Sequence, residues 1–431
     1  MSSPEPTIAS TTGAINVRRR RVIVAATVGN LLEWYDNFIY GVLALTMARL
    51  FFPAGNEATS LILAFVTYGA GLAMRPVGAI VLGIYADRIG RSAALYAAMF
   101  IMGLGTALMA FVPTYQTIGV WAPLIVLLAR LLQGFSGAGE IGSATALLVE
   151  SAPAGSRGLY ASLNASSQQI GFVLAAFVVM VMNLAMTQDE IDAGGWRLPF
   201  VFGLAIVPAA LYIRANLGEP DIFRQRAKER RMRSAFAIGR AGSLLLALGM
   251  LLLYVIAGSV LFVYMPTFAV QKLGLTGASA LFATVVATCV TIACTPVAGA
   301  MSDRLGRKPL LWIATVSFVL LTYPAFVLIL AWPSIALLLL VQSGFGMLLA
   351  LYVGPLFSAL AELFPTRIRA VAVSLTYGIA GIIGAFAPAL ATWLIVVTGL
   401  VGAPAFAVIG AATLSAFALL AFEDRSGEPL S

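Results

Sequence analysis

GIYADRIGRSAAL, residues 83–95, and GAMSDRLGRKPLL, residues 299–311, are two copies of one pattern set half a chain apart. Gly83, Asp87, Arg88, Gly90 and Arg91 align with Gly299, Asp303, Arg304, Gly306 and Arg307. A second pair, ESAPAGSRG at 150–158 and ELFPTRIRA at 362–370, matches Glu150, Pro153 and Arg157 with Glu362, Pro365 and Arg369. The spacing within the two copies is nearly the same. Such a repeat marks a chain assembled from two parallel copies of one unit.

The unit is a helical membrane bundle. Of 431 residues, 61% are hydrophobic and 10% charged, too few charges to cover a soluble surface. Apolar runs long enough to cross a bilayer recur along the whole chain. At roughly 20 residues per span plus short loops, about twelve helices fit. A β-barrel is disfavoured, because the runs lack alternation and are rich in Leu, Ala and Gly. The fold class expected is an all-α membrane protein of twelve transmembrane helices in two six-helix, pseudo-repeated bundles. Helices are expected near 22–50, 60–84, 93–112, 120–148, 159–186 and 197–217, then near 243–271, 277–300, 309–331, 333–361, 371–398 and 403–422. Residues 1–21 form an N-terminal tail, 22–217 the first bundle, 218–242 a polar linker, 243–422 the second bundle and 423–431 a C-terminal tail.

The net charge of +8 reads as topology rather than as a nucleic-acid partner. Arg18 to Arg21, Arg88, Arg91, Arg157, the cluster Arg224 to Arg240, Arg304 to Lys308, Arg367 and Arg369 fall on one side of a twelve-span layout. The other side has little beyond Arg49, Arg197 and Lys272. Both termini are therefore expected in the cytosol, and the linker on an anionic leaflet. No cleavable signal peptide is expected, and Cys289 and Cys294 read as small hydrophobes. The chain has no histidine, so any proton handling falls to carboxylates.

The repeated loop has a physical use. Its glycines permit a tight turn between helices. Its Asp and Arg residues are poised to pair with each other or with helix ends across the interface between halves, latching one conformer.

These residues resemble the major facilitator superfamily. The paired loops look like its signature, and Arg130-Leu131-Leu132-Gln133-Gly134 looks like its fourth-helix motif. Within it, GNLLEWYDNFIYG (29–41), GLAMRPVGAIVLG (71–83), RLLQGFSGAGEIG (130–142) and ELFPTRIRAVAVSLTYG (362–378) resemble the metabolite:proton symporter family. NASSQQIG (164–171) and GGWRLPF (194–200) resemble its citrate- and tricarballylate-type members. The likeness covers 22 to 422. It implies alternating access and proton-coupled uptake of small organic acids or zwitterions. Asn37, where the family usually has an aromatic residue, and Gly137-Ala138-Gly139 depart from the pattern.

Ionisable groups at membrane depth are costly and mark function by default. Glu33, Asp36, Arg75, Arg130 and Glu140 qualify, all in the first half. No span of the second half has an equivalent, apart from Lys272 at a helix end. The second half is expected to supply polar and aromatic contacts such as Tyr254, Tyr264, Gln342 and Tyr352. Glu33 and Asp36 stand at i,i+3 and share a face with Tyr40. In superfamily members the first and fourth helices face the cavity together, so Arg130 is expected to pair with one acid. A carboxylate beside an Arg stays ionised and one in an apolar pocket is driven neutral, so two acids in unlike surroundings titrate apart. Glu140 lies among Gly137, Gly139, Gly142 and Ser143, so helix packing and proton transfer both fit it. Arg75 reads equally as structural or as a substrate contact. Gln168 and Gln169 are unusual polar neighbours in the fifth helix.

The expected proton-coupling residues are Glu33, Asp36 and Glu140. The expected substrate contacts are Arg130, Arg75, Asn37, Tyr40, Gln168, Gln169, Tyr254 and Tyr352. Gly83, Asp87, Arg88, Gly90, Arg91, Asp303, Arg304 and Arg307 form the expected gate. The function expected is import of a citrate-like di- or tricarboxylate by proton symport, in a monomer of a bacterial inner membrane, with lipid around it. Aromatic acids, or zwitterionic osmolytes such as betaine or proline held by Trp34, Tyr35 and Tyr40, are the alternative within transport. A drug exporter and a non-transporting sensor stand further off. With no histidine, phosphate loop or metal-ligand cluster, neither an enzyme nor a cofactor or metal is expected.

Overall fold

The computed structural model describes residues 31, 33–137, 145, 146, 148–150, 152, 153, 155–205, 241–366 and 368–426. The expected linker, the tail 1–21 and Glu140 lie outside them, as do the side chains of Asp87 and Arg91. The described residues are almost wholly helical. Eight of their helices are long and apolar enough to cross a membrane, and Tyr96–Phe111 and Trp121–Ser136 are shorter apolar helices.

In chain order, α1 runs over 33–42 and Ala44–Phe51, α2 over Glu57–Ala73 and Arg75–Ile89, α3 over Arg91–Phe111 and α4 over Trp121–Ser136. Helix α5 spans Arg157–Ala185, and the described part of α6 is 198–205. Helix α7 comprises Ala241–Gly258, a π segment Ser259–Tyr264, and Met265–Leu273. Then come α8, Gly277–Leu305; α9, Arg307–Ala331; α10, Ile335–Glu362; α11, Arg369–Thr398; and α12, Pro404–Ala421.

Local chemistry explains the interruptions. Pro76 has no N–H to continue the ladder and its ring crowds the preceding turn. Helix α2 therefore breaks at Met74 and restarts with Pro in its first turn, which puts Arg75 at the break. The π segment of α7 leaves backbone carbonyls off the regular ladder. The Leu261 carbonyl accepts from the Gln342 amide at 3.0 Å. The second glycine of each motif copy caps its helix at positive φ, 122° at Gly90 and 89° at Gly306, where an L side chain is strained.

The halves meet through two pseudo-symmetric helix pairs. Helix α5 packs on α8, and its counterpart α11 packs on α2. A Cβ at Gly158 would overlap the Gly299 carbonyl, so α5 and α8 cross glycine to glycine at the motif end. Within the first half, a Cβ at Gly134 would overlap the Gly71 carbonyl, which draws α4 onto α2.

One expectation is corrected here. Helices α8 to α11 extend further than their hydropathy suggests, so the second half does bury ions at its span ends. Glu362, Arg307 and Arg369 are buried, and Asp303 is partly so. They can be sunk because each is paired.

The C-terminal segment is tied to the second motif. Asp424 accepts from the Arg307 and Lys308 backbone N–H groups at 2.7 and 3.0 Å. Lys308 Nζ donates to the Phe422 carbonyl at 2.6 Å. Burial raises the Asp424 carboxyl, but backbone donors from Lys308, Ser426 and Arg307 outweigh it and hold it below its ordinary 3.8. A carboxyl held low in the folded state contributes fully above its unfolded value and loses that contribution as pH falls through the folded one. Asp424→Ala is therefore expected to cost about 1 kcal/mol, the worth of one helix cap. The melting difference from wild type should be flat from about pH 5 to 8 and close only below about pH 4. A difference that already vanishes near neutral pH would refute the capping role.

Candidate functional site

The buried polar groups of the first half form two clusters rather than one acid pair with Arg130. The first joins α1, α3 and α4. Asp36 is 5% exposed. Its Oδ2 accepts from Thr106 Oγ1 and from Gln133 Nε2, each at 2.8 Å. Its Oδ1 is buried without a partner among the described residues. Arg130 donates through Nη1 to Gln133 Oε1 at 2.8 Å and through Nη2 to Asn37 Oδ1 at 2.9 Å. Its guanidinium lies 5.0 Å from the Tyr40 ring and 5.3 Å from the Tyr68 ring.

Arg130 is thus not bonded directly to either acid, contrary to the expected pairing. The reason is helical geometry: Gln133, at i+3 on the same face, interposes its amide. Its oxygen faces the cation and its nitrogen faces the anion. Asn37, the departure from the family pattern, supplies the second neutral partner.

The second cluster is Glu33 with Arg75, Oε1 to Nη2 at 3.0 Å, both side chains mostly buried. Arg75 also stacks over the Trp34 indole at 4.7 Å, and its Nε is buried with no partner among the described residues. A Cβ on Gly137 would lie 2.6 Å from Glu33 Oε1, so the small residue at the end of α4 makes room for the pair. Glu33 and Asp36, on one face of the helix, thus sit in different environments, one with Arg75 and one with Thr106 and Gln133.

Between the halves lies a cavity of about 70 Å³, well below the roughly 300 Å³ at which ligand pockets begin. Trp34, Tyr68, Gln168 and Gln169 wall it from the first half; Tyr254, Phe262 and Tyr377 face them from the second. Gly258, Ser259, Gly381 and Gly384 complete the second wall. Tyr377 donates across the interface to Gln168 Oε1 at 2.9 Å.

Of the expected substrate contacts, Gln168, Gln169 and Tyr254 line this cavity. Arg130, Asn37 and Tyr40 lie behind Tyr68, and Arg75 lies against Trp34. Tyr352 is placed elsewhere, as a correction: its hydroxyl donates to the Met250 carbonyl at 2.6 Å, in the packing of α10 on α7. Gln342 is likewise spent on the Leu261 carbonyl and Thr284. Trp34, named from the sequence only for a zwitterionic solute, is a cavity wall, and sequence reasoning missed Tyr68 and Tyr377 as walls and Thr106 and Gln133 as partners of Asp36. Only Gln133 had a signal, its i+3 position from Arg130.

At the motif end the repeated charges cross between halves. Arg369 of the second half meets Glu150 of the first at 3.3 Å. Arg157 of the first meets Glu362 of the second at 3.9 Å. Each Arg takes the other copy's Glu, as a pseudo-two-fold axis requires. Arg307 joins Asp303 at 2.7 Å and Glu362 at 3.3 Å. Asp303 in turn accepts from the Gly158 and Leu159 N–H groups at 2.8 and 3.0 Å, at the positive end of α5. Arg88 and Arg304 are exposed and stand outside this latch, because the helix turns them away from the interface. At the opposite end Gln271 donates to Glu57 at 2.9 Å across the halves, and Gly277 packs on Asn183. Contacts between the halves therefore stand at both ends of the molecule, with the cavity between them.

Two pseudo-symmetric helical halves, charge buried in both and a cavity between define a multi-pass membrane transporter. The family model described as Major Facilitator Superfamily matches residues 26–324 and 282–431, and the chain belongs to that superfamily. A citrate-proton symporter of Salmonella typhi is 39% identical over 408 residues, 92% of this chain and 93% of its own. A citrate-proton symporter of Klebsiella pneumoniae is 37% identical over 392 residues, 89% and 87% respectively. A solved structure described as a D-xylose-proton symporter superposes with a TM-score of 0.76 at 19% identity, covering 95% of this chain and 99% of that one; that likeness shows the fold.

A Cβ at Gly258 or Gly381 meets no atom within 4 Å, so a side chain there would grow into the cavity. Gly381→Val is expected to leave the melting temperature of the purified protein within about 1 °C of wild type, the shift that about 1 kcal/mol gives in a chain of this length. It should reduce uptake of citrate, the solute in the relatives' names, at least tenfold. Normal uptake by this variant would mean that the transported solute does not pass this wall.

Proposed function

We propose that the protein imports a small organic anion, a citrate-like di- or tricarboxylate, together with protons by alternating access. The carrying observation is the Glu33–Arg75 pair. Arg75 is shared between a carboxylate and an indole that walls the cavity, with one N–H unpartnered among the described residues. A guanidinium recognises a carboxylate through paired donors. A substrate carboxylate therefore competes with Glu33 for Arg75. Glu33, deprived of its counter-charge, then binds a proton. Proton and anion bind cooperatively because each relieves the other's electrostatic cost, and this coupling is reciprocal.

Asp36 is the second proton site in this reading. Its unpartnered Oδ1 has room for a proton while Oδ2 keeps its two donors. The Gln133 amide carries the state of Arg130 to Asp36. Of the two arginines expected from the sequence as substrate contacts, this reading gives the anion to Arg75, whose guanidinium stacks on the cavity-wall indole of Trp34. The near full-length likeness to citrate-proton symporters supports the choice of anion and of coupling ion. The excess of Arg and Lys at the motif end supports a cytosolic placement of that end and of both termini. One chain supplies both walls of the cavity, which supports a monomer as the working unit, embedded in the inner-membrane bilayer.

The test is citrate accumulation in proteoliposomes. One pH unit is worth about 1.4 kcal/mol per proton, a tenfold concentration ratio. An inward gradient should drive uphill uptake by the wild type. Glu33→Gln and Asp36→Asn should each lose accumulation yet retain downhill exchange of labelled for unlabelled citrate. Uphill uptake by the double variant, or wild-type uptake that follows sodium instead of protons, would overturn the mechanism.

A further inference from the structure

Two polar groups of the cavity wall are left over by the exchange just described. Trp34 is 5% exposed, lines the cavity, and its Nε1–H has no partner among the described residues. Gln168 is 2% exposed, lines the same cavity, and its Nε2 has no partner among them, although its Oε1 is held by Tyr377. The two are neighbours. A Cβ on Gly171 would stand 3.0 Å from Trp34 Cβ, and Gln168 is one helical turn before Gly171 on α5. Both orphans are donors, and both are neutral. A buried donor without an acceptor is costly and is normally matched by a ligand or by water. A carboxylate is an acceptor-only group with lone pairs for several donors.

We propose that Trp34 Nε1 and Gln168 Nε2 form a neutral carboxylate subsite, and that Gln168 reports its occupancy to the second half through Tyr377. The inference rests on the organic-anion reading above and deepens it. Arg75 lies over the Trp34 ring, so the charged and neutral subsites are separated by one indole. A substrate bearing two carboxylates a few bonds apart fills both; a monocarboxylate fills one. Across the cavity, the second half presents Gly258, Ser259, Gly381 and Gly384, which limit size and add little further recognition. Gln168 links the two halves in its own side chain, its nitrogen toward the anion and its oxygen on the Tyr377 hydroxyl. It is a specificity residue, and Tyr377 is a positioning residue acting through it.

The test compares Trp34→Phe, Gln168→Met and Tyr377→Phe with the wild type. The first keeps an aromatic ring over Arg75 and against Phe38; the second keeps volume. Citrate affinity is measured by calorimetry in detergent, and KM and kcat in proteoliposomes, with succinate and acetate as di- and monocarboxylate probes. Trp34→Phe and Gln168→Met should each weaken citrate and succinate binding about tenfold, the effect of losing one hydrogen bond to a charged acceptor. Acetate binding, already weak, should change less than about threefold. Tyr377→Phe should keep the citrate KM within about threefold while lowering kcat, a split that loosened packing would not give. The melting temperature of each unliganded variant identifies a folding defect, and either of the first two variants suffices if the other melts low. Wild-type citrate affinity in a well-folded Trp34→Phe or Gln168→Met protein overturns the subsite while leaving the proposed function standing. A wild type that binds neither citrate nor succinate overturns both.

Discussion

A guanidinium sunk in a helical bundle has to be met on its N–H groups and on its faces, because hydrocarbon meets neither. Arg130 is 1% exposed, and its direct partners are two amides and two tyrosine rings. The geometry of the first half follows from that solution. Gln133 must turn its oxygen to the cation, which leaves its nitrogen for Asp36. Asp36 is thereby fixed between α4 and Thr106 of α3, and α1 is pinned at mid-depth. Glu33, three residues away, is left to Arg75. Two acids on one helix face end with different partners because one amide intervenes.

The contacts between the halves are of two kinds. At the motif end they are ionic and reciprocal, with Arg157 and Arg369 each taking the other copy's Glu. Asp303 adds a charge on the amides that open α5. At the cavity they are neutral, a single tyrosine-to-amide bond across Gln168 and Tyr377 among aromatic and glycine surfaces. The arrangement suits a carrier. Separating the paired ions would leave charge unpartnered. Separating the neutral contact in the middle would break one hydrogen bond.

Much of this could be read in the residues themselves. The duplicated Gly-x-x-x-Asp-Arg-x-Gly-Arg loop placed the two-fold repeat and a band of charge at the interface, and the Glu and Arg of 150–158 and 362–370 marked the repeat a second time. Their reciprocal pairing was not legible, since a motif records which groups are present and not which copy each will face. The break in α2 follows from Pro76, and Arg75 at the break was among the groups singled out. Its pairing with Glu33 required α1 and α2 to be adjacent at that depth. Tyr68 and Tyr377 look like ordinary packing aromatics in a chain with so many, and only a cavity between halves distinguishes them. Tyr352 shows the converse, a polar aromatic in the right half that is consumed by a neighbouring carbonyl.

The sequence alone determined that this chain spans a membrane, that it is two copies of one helical unit, and that ionisable groups lie deep in the first. These are properties of composition, period and repetition, which survive in any conformation of the chain. Only the tertiary structure decided which of those groups share a bond. Partner choice depends on the depth and rotation at which helices cross, set here by glycine contacts such as Gly134 on Gly71 and Gly158 on Gly299. A shift of one helical turn would hand each buried charge a different neighbour.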